Sequence, residues 1–139
     1  MEEVSANYWE VFGSHLTDSI DLSNVTKTLD VGTGWGDCLI PLAKRISLKE
    51  EIIGIDIREA VVRKTKNELI KHSLPNVKVE VMDATELKFQ NNYFDVITCG
   101  FIGFNRYYNF KSNKFRQGKN NQLMKELYRV LKDGGKIIL

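Results

Sequence analysis

The sequence predicts an α/β fold in which a mostly parallel β-sheet lies between two layers of helices. Short apolar runs rich in β-branched residues alternate with amphipathic helical stretches, which is the pattern of a parallel sheet covered by helices. The chain has 139 residues, enough for one compact domain. Its 42% apolar residues and two prolines favour a packed core over disorder.

The first strand is predicted at Lys27–Val31, where an apolar run stops at a glycine-rich turn. A helical stretch follows over about residues 37–46. Glu51–Ile55 reads EIIGI and is short and β-branched, so we expect a second strand. A helix over Glu59–His72 comes next, and its predicted buried face consists of Val61, Val62, Thr65 and Leu69.

That helix is expected to end near Ser73, because Pro75 disfavours helix in the residue before it. The third strand is predicted at Val77–Val81, which alternates as VKVEV. A turn at Asn91-Asn92 leads into the fourth strand, Phe94–Cys99. The segment between these two strands is short and carries no predicted helix.

Apolar residues at helical spacing predict the last helix. They are Leu123, Met124, Leu127, Val130 and Leu131. Asp133-Gly134-Gly135 is expected to break this helix, and Lys136–Leu139 to begin a fifth strand. Because the chain stops inside this strand, we expect either a fragment or a sheet edge completed by something else, which leaves an oligomer through that edge open.

Composition disfavours several classes of protein. No apolar run approaches the roughly 20 residues of a membrane helix, and the first residues lack the basic and apolar regions of a signal peptide. Cys38 and Cys99 are too few for a disulfide scaffold and form no metal-ligand pattern, so we expect reduced thiols in a cytoplasmic protein. The net charge of +2 divides into −5 over residues 1–24 and +7 over the remainder, an excess that weakly favours a polyanionic partner.

The glycine-rich turn, LDVGTGWGD at residues 29–37, points to a ligand site. Gly32, Gly34 and Gly36 let the backbone approach a ligand closely, beside the free N–H groups of a helix N-terminus. The alternative is a tight strand-to-helix turn, which needs only one or two glycines. The dinucleotide pattern G-x-G-x-x-G would have its third glycine at Asp37, where a carboxylate repels a pyrophosphate. The turn therefore favours an amino-acid-bearing nucleoside over NAD.

Acidic residues also follow the next two strands. Asp56 closes the second strand and could accept hydrogen bonds from both hydroxyls of a ribose, or could instead cap the next helix. Asp83-Ala84 follows the third strand and could accept from the exocyclic amine of a purine, or could simply form a turn. Ligands of such sheets bind outside the carboxyl ends of the strands, so these acids together indicate one site.

Five motifs over about residues 27–139 resemble, in the same order, those of class I S-adenosylmethionine-dependent methyltransferases: LDVGTGWGD, IIGIDI, VMDATEL, FDVITCGF and LYRVLKDGGKIIL. VITCGFIGFN is also similar, in part, to the FGLRN-containing stretch of ubiquinone/menaquinone-biosynthesis methyltransferases. The resemblance implies a Rossmann-like three-layer α/β/α sandwich with strand order 3-2-1-4-5, without the family's strands six and seven. Residues 1–24 would be a helical segment covering the cofactor, and residues 25–139 the domain that binds it.

The resemblance also implies a cofactor and its contacts. The cofactor would be S-adenosyl-L-methionine, leaving S-adenosyl-L-homocysteine as product. Asp30 and the loop Gly32–Gly36 would hold the methionine end, Asp56 the ribose and Asp83-Ala84 the adenine. The full expected set is Asp30, Gly32, Thr33, Gly34, Trp35, Gly36, Asp56, Ile57, Asp83, Ala84 and Cys99. No metal site is expected.

No catalytic residue is predicted, because methyl transfer from a sulfonium needs alignment and exclusion of water more than a dedicated triad. His15 is a weak candidate base, and His72 is expected to lie exposed at a helix end. Tyr8 and Trp9 could cover the site or pack into the core. The expected substrate contacts are Tyr8, Phe101, Arg106 and Tyr107.

Residues 104–119, FNRYYNFKSNKFRQGK, contain five basic and five aromatic residues and no acid. They follow the fourth strand, where an acceptor would enter. Such a stretch suits a flat anionic molecule, or single-stranded nucleic acid stacked on the rings. The alternative is a solvated insertion whose aromatic side chains pack onto the domain.

The leading hypothesis is a methyltransferase that acts on a small or medium-sized acceptor. Within enzymes, the alternative is an RNA methyltransferase that uses residues 104–119. A second class is a module that binds the cofactor, or activates a partner, without transferring a methyl group. Asp37 and the Asp83-Ala84 motif disfavour a nicotinamide-dependent oxidoreductase.

Overall fold

The computed structural model describes residues 11, 13–100, 106–109, 114–117 and 120–139. In chain order the elements are α1 (helical over residues 13–18), β1 (Lys27–Val31), α2 (Leu39–Arg45), β2 (Glu51–Asp56), α3 (Glu59–Lys71), β3 (Val77–Val81), β4 (Phe94–Thr98), β5 (Arg106–Asn109), β6 (Lys114–Gln117), α4 (Asn120–Val130) and β7 (Leu131–Ile138). None of the described helices is long and apolar enough to cross a membrane.

Five strands form one parallel sheet in the order β3-β2-β1-β4-β7. This confirms the predicted α/β class and the order 3-2-1-4-5, with β7 as the fifth strand of the sheet. β1 lies at the centre, where Leu29 pairs with Ile53 of β2 and with Ile97 of β4. Because parallel strands share a direction, the carboxyl ends of β1, β2 and β3 lie side by side.

Each face of the sheet has its own apolar core. On one face α2 and α3 contribute Leu39, Leu42, Val62 and Leu69. On the other face α4 contributes Leu123, Leu127 and Val130. Successive strand residues point to opposite faces, so Ile52 belongs to the first core and Ile53 to the second. The two cores give the three layers that the sequence predicts.

The predicted strand boundaries are correct at β1 and β3, and wrong at β7. That strand begins at Leu131, directly after α4, and not at Lys136. The register of β7 on β4 is irregular, since Phe94 pairs with Leu131 while Val96 pairs with Lys136. The extra residues around Gly134, which has a φ of +77°, are accommodated there as a bulge. Sequence patterns do not reveal such a bulge because it depends on the partner strand.

Residues 104–119, for which the sequence predicts no strand, include a β-hairpin. β5 and β6 form an antiparallel pair separate from the main sheet, with Tyr107 opposite Arg116 and Tyr108 opposite Phe115. The sequence contains no two-residue turn signal between these strands, which is why pattern analysis missed the hairpin. The other positions of the stretch lie outside the described residues.

The connection from β3 to β4 is irregular and is held by α4. Within residues 82–93 there is no helix, as predicted. Arg129 of α4 donates to the carbonyl oxygens of Leu87 (2.8 Å) and Phe89 (2.7 Å) and pairs with Glu126 at 2.8 Å. Glu126 in turn accepts from the backbone N–H of Leu87 at 2.7 Å. These bonds supply the backbone partners that a helix would otherwise give this segment.

The helix α1 packs against the start of α2. A Cβ added to Gly13 would lie 2.0 Å from the carbonyl oxygen of Asp37, so only glycine permits this approach. Arg45 of α2 donates to the carbonyl oxygens of Thr17 and Ile20, near the end of α1. The described part of α1 is therefore in contact with Asp37, at the end of the glycine-rich turn.

Candidate cofactor-binding site

The glycine-rich turn between β1 and α2 has an unusual backbone. Gly32, Gly34 and Gly36 all have positive φ, at +68°, +53° and +89°. Among the described residues, a Cβ added at Gly34 would have only the carbonyl oxygen of Gly32, 3.9 Å away, within 4 Å. Both the dihedral and the open space at Gly34 suit a turn whose backbone faces a ligand.

The peptide groups on either side of Gly34 are held from two elements. The N–H of Gly34 donates to Oδ2 of Asp56 at 3.0 Å, and the carbonyl oxygen of Gly34 accepts from Oγ1 of Thr65 at 2.6 Å. The neighbouring N–H of Thr33 donates to the carbonyl oxygen of Ile55 at 2.9 Å. The turn is thus fixed to β2 and α3 by hydrogen bonds of the protein itself.

Asp56, the last residue of β2, is nearly saturated with hydrogen bonds. Its Oδ1 accepts from the backbone N–H (3.0 Å) and Nε (2.9 Å) of Arg58. Its Oδ2 accepts from the N–H of Gly34 (3.0 Å) and Nη2 of Arg58 (3.0 Å). Burial alone would raise the pKa of Asp56, but the bonds from Arg58 and Gly34 outweigh it and hold this pKa below its ordinary value. Asp56 is therefore a carboxylate at neutral pH.

Asp30 lies beneath the turn and is fully buried. Its Oδ2 accepts from Oγ1 of Thr33 at 2.7 Å and its Oδ1 from Oγ1 of Thr98, in β4, at 2.6 Å. Burial raises the pKa of Asp30 to about 6, with smaller contributions from the negative charges of Asp37 and Asp56. The two threonine bonds oppose this rise. Asp30 therefore supports the turn through its bond from Thr33 and links β1 to β4 through its bond from Thr98.

Asp83 and Ala84 follow β3 at the same edge of the sheet. Oδ1 of Asp83 accepts from the backbone N–H and the hydroxyl of Thr85, at 2.8 and 2.7 Å, in a local turn. Ala84 is half-buried and packs on the core that α4 covers. The Asp83 carboxylate is exposed at the end of its strand, as the sequence predicts.

Two apolar side chains of this edge are exposed. Trp35, within the turn, is 60% exposed, and Nζ of Lys64 in α3 lies 4.7 Å from the centre of its ring. Ile57, directly after β2, is also exposed. Large apolar groups exposed beside charged side chains are typical of surfaces that contact a ligand.

The structure places Cys99 in the apolar core that α4 covers, and not on the surface of the sheet edge. Burial raises the pKa of its thiol to about 12, so the thiol stays protonated at neutral pH. His72 caps the end of α3 and is exposed, as expected, and His15 is an exposed residue of α1. Tyr8 and Phe101 lie outside the described residues, and Arg106 and Tyr107 are placed only by the backbone of β5.

The fold thus brings together the three predicted acids Asp30, Asp56 and Asp83 at the ends of adjacent strands. Three residues of the site have no predicted role in the sequence: Thr98, Thr65 and Arg58, which contact Asp30, Gly34 and Asp56 respectively. The one available signal was the polar Thr65 within an otherwise apolar helix face. Among the described residues no group of acidic, histidine and cysteine side chains could hold a metal ion.

Comparisons with known proteins agree with this arrangement. The profile of a family described as a methyltransferase domain matches residues 22–139. Demethylmenaquinone methyltransferase from Staphylococcus aureus (strain JH9) is 32% identical over 140 residues, covering 97% of this chain and 51% of the relative. The chain spans about half the length of the curated relatives it matches.

Solved structures share the fold. The PH0226 protein from Pyrococcus horikoshii OT3 is 26% identical with a TM-score of 0.69, over 96% of this chain and 56% of that protein. The [4+2]-cyclase SpnF is 21% identical with a TM-score of 0.71, over 92% of this chain and 43% of SpnF. SpnF is described as a cyclase, so the fold by itself does not fix the reaction.

Proposed function

The chain belongs to the family of class I S-adenosylmethionine-dependent methyltransferase domains, and from that premise we propose that it binds S-adenosylmethionine across the ends of β1, β2 and β3. We further propose that the methyl group passes to a small acceptor with an aromatic ring. One observation carries the proposal: a buried carboxylate at the end of β2, Asp56, is fixed by backbone N–H groups directly beside the open turn at Gly34.

The residues at these strand ends fit the parts of this ligand. Asp56 is ionised and would accept hydrogen bonds from the two ribose hydroxyls. The exposed Asp83 and the neighbouring Ala84 would lie at the adenine, with Ile57 packing on its ring. The turn from Gly32 to Gly36 would face the methionine end, braced by Asp30 from below.

Bound S-adenosylmethionine supplies a methyl group already activated on a sulfonium. The chain's own residues then need to orient the donor and the acceptor and to exclude water. The bonds that hold the turn at Gly34 would orient the donor. We assign no general base, because neither histidine of the chain lies at the strand ends that form the site.

Two observations support the aromatic acceptor. The relative from Staphylococcus aureus is named for a methyltransferase that acts on demethylmenaquinone, a quinone. In addition, β5 and β6 follow β4 and place Tyr107 opposite Arg116 and Tyr108 opposite Phe115. A hairpin of aromatic and basic residues suits a flat acceptor that carries negative charge.

Calorimetry with S-adenosylhomocysteine tests the cofactor, with NADH as the comparison ligand. We expect S-adenosylhomocysteine to bind and NADH not to bind. Asp56→Ala should weaken S-adenosylhomocysteine by about tenfold to a hundredfold, since it removes a charge-assisted acceptor. Asp133→Ala, an exposed acid on β7, is the matched control and should bind as the wild type does. Preferential binding of NADH would contradict the proposal.

A methyl donor labelled at the transferred carbon tests the acceptor. Incubated with pools of phenols and quinols, and separately with RNA, the protein should label the first pool only. Label in RNA would favour the alternative that residues 104–119 bind nucleic acid. Cofactor binding without label in any pool would favour a module that holds the cofactor without transferring its methyl group.

A further inference from the structure

Arg58 occupies the two acceptor positions on Asp56 that backbone N–H groups leave free. A carboxylate has about four such positions, two on each oxygen. Backbone N–H groups take one on each oxygen, from Arg58 onto Oδ1 and from Gly34 onto Oδ2. The guanidinium takes the others, with Nε 2.9 Å from Oδ1 and Nη2 3.0 Å from Oδ2.

The two N–H groups of this guanidinium stand where a pair of neighbouring hydroxyls would bind. Each hydroxyl of a ribose needs one position on one carboxylate oxygen, and the backbone bonds cannot yield without moving β2 or the turn. The side chain of Arg58 is 61% exposed, whereas that of Asp56 is 4% exposed. Of the groups bound to Asp56, the side chain of Arg58 is therefore the one that a ligand can displace.

We propose that Arg58 competes with the ribose of the cofactor for Asp56, and so sets the affinity of the site. This inference rests on the proposed binding of S-adenosylmethionine. The guanidinium swings into solvent as the two hydroxyls replace its two bonds one for one, while the backbone N–H groups keep the carboxylate oriented. Because the arginine of this pair is largely exposed, water can solvate the displaced guanidinium, yet the loss of its two bonds to Asp56 reduces the net gain from binding.

Arg58→Met tests the competition, because methionine keeps an unbranched apolar stem and removes the guanidinium. We expect the variant to bind S-adenosylhomocysteine about threefold to tenfold more tightly than the wild type. S-Adenosylhomocysteine is the probe because it lacks the positive sulfonium. Arg63→Met, which removes an exposed arginine from the same helix, should leave the affinity unchanged.

A second pair of ligands locates the effect. The dissociation constant of adenosine, measured directly by calorimetry, should be lower in Arg58→Met than in the wild type, whereas that of 2′,3′-dideoxyadenosine should be the same in both. If the wild type binds and Arg58→Met binds equally or less tightly, the competition is wrong and the proposed function stands. If no variant binds either S-adenosylhomocysteine or S-adenosylmethionine, the proposed function fails, and the competition fails with it.

The outer edge of β3 carries a second, independent inference. The backbone N–H of Met82 donates inward to the carbonyl oxygen of Asp56 at 3.1 Å. Because alternate residues of a strand direct their backbone groups to opposite sides, Val77, Val79 and Val81 direct theirs outward. No described strand pairs with this side of β3.

An apolar groove runs beside this edge. Its volume is about 840 Å³, and it lies between α3 and β3. Leu48 and Ile70, which line the groove, are 62% and 77% exposed. An unpaired strand edge next to exposed apolar side chains is a surface suited to another strand.

The charges on β3 select one partner and one register. Lys78 and Glu80 are both exposed and lie on one face of the strand. If a second β3 pairs antiparallel about a two-fold axis at Val79, Lys78 of each strand stands opposite Glu80 of the other. A two-fold axis at Lys78 or at Glu80 would instead place identical charges opposite each other. In the register centred on Val79, all the outward backbone groups of the three valines find partners.

We infer that β3 binds β3 of a second copy of this chain, joining the two sheets into one. The paired groups are the backbones of Val77, Val79 and Val81 and the side chains of Lys78 and Glu80. The grooves beside α3 meet across the same axis and bury Ile70 and Leu48.

Light scattering coupled to size exclusion tests this dimer. The wild type should have twice the chain mass of 16.0 kDa. Lys78→Glu and Glu80→Lys should each be monomeric, because like charges then face each other twice. An equimolar mixture of the two variants should regain the doubled mass, since a mixed pair is complementary at both positions. A monomeric wild type at millimolar concentration, single variants that remain dimeric, or a mixture that stays monomeric would each overturn the inference.

Discussion

The hydroxyl of Thr65 lies 2.6 Å from the carbonyl oxygen of Gly34, and so ties the middle of α3 to the middle of the glycine-rich turn. The N–H of the same glycine donates to Asp56. Gly34 is thus held by a helix on one side and by the end of a strand on the other. A turn fixed in this way needs little rearrangement to receive a ligand, which favours binding.

Replacing Thr65 by valine should loosen the turn. Thr65→Val keeps the shape and removes the bond to Gly34, so we expect the free energy of unfolding to fall by about 1–2 kcal/mol and S-adenosylhomocysteine to bind more weakly. Thr65→Ser should restore binding. Thr28→Val is the matched control, because the hydroxyl of Thr28 is equally buried but has no hydrogen-bond partner among the described residues. Equal losses of binding in Thr65→Val and Thr28→Val would show that the bond to Gly34 does not matter.

Alanine substitutions at Gly34 and at Gly134 distinguish the effect of backbone strain on stability from an effect on ligand binding. Both glycines have positive φ, at +53° and +77°, and at Gly134 an added Cβ would meet no atom of the described part of the chain within 4 Å. Alanine at either position should lower the free energy of unfolding by about 1–2 kcal/mol, the cost of a left-handed conformation. Only Gly34→Ala should also weaken S-adenosylhomocysteine in calorimetry. Full affinity in Gly34→Ala would remove this residue from the site.

Arg129 is expected to be the main support of the segment between β3 and β4. Arg129→Met retains the stem and removes the bonds to Leu87 and Phe89, so we expect a loss of about 2–4 kcal/mol in urea unfolding. Lys125→Met, at an exposed position of the same helix, should be nearly neutral. A loss no larger than that of the control would mean that the segment is held by its apolar contacts alone.

Asp30 should make stability depend on pH. Its pKa is raised from 3.8 to about 6 in the folded state, so as pH rises the unfolded chain releases this proton first. The folded state loses stability relative to the unfolded one between about pH 4 and pH 6, and by pH 7 the loss is about 3 kcal/mol. Asp30→Asn has no ionisable group at this position, so its free energy of unfolding should not show this loss.

Urea unfolding of the wild type and Asp30→Asn at several pH values measures this effect. The difference in free energy, Asp30→Asn minus wild type, should grow in favour of the variant as pH rises from about 4 to about 7. A difference that does not change with pH would show that Asp30 titrates normally. Comparing the two proteins cancels the other carboxylates that titrate in the same range.

Much of the site could be predicted because its signals are local. The glycines between β1 and α2 and the acids at the ends of β2 and β3 are fixed by their position along the chain. Arg58 was not predicted as a partner of Asp56, because which groups contact a carboxylate depends on rotamers and on the turn that packs against it. Thr65 was predicted to be buried, but its bond to Gly34 joins residues 31 positions apart, and no periodic pattern encodes that distance.

The sequence by itself determined the alternation of strands and helices, and with it the parallel sheet and the edge at which sheets of this kind bind ligands, because apolar periodicity and turn chemistry act over a few residues. The start of β7 at Leu131, the pairing of β5 with β6 and the bonds that surround Asp56 were decided only by the tertiary structure. Each of these depends on a partner distant in the chain, and the free energy of such contacts exists only once the sheet has formed.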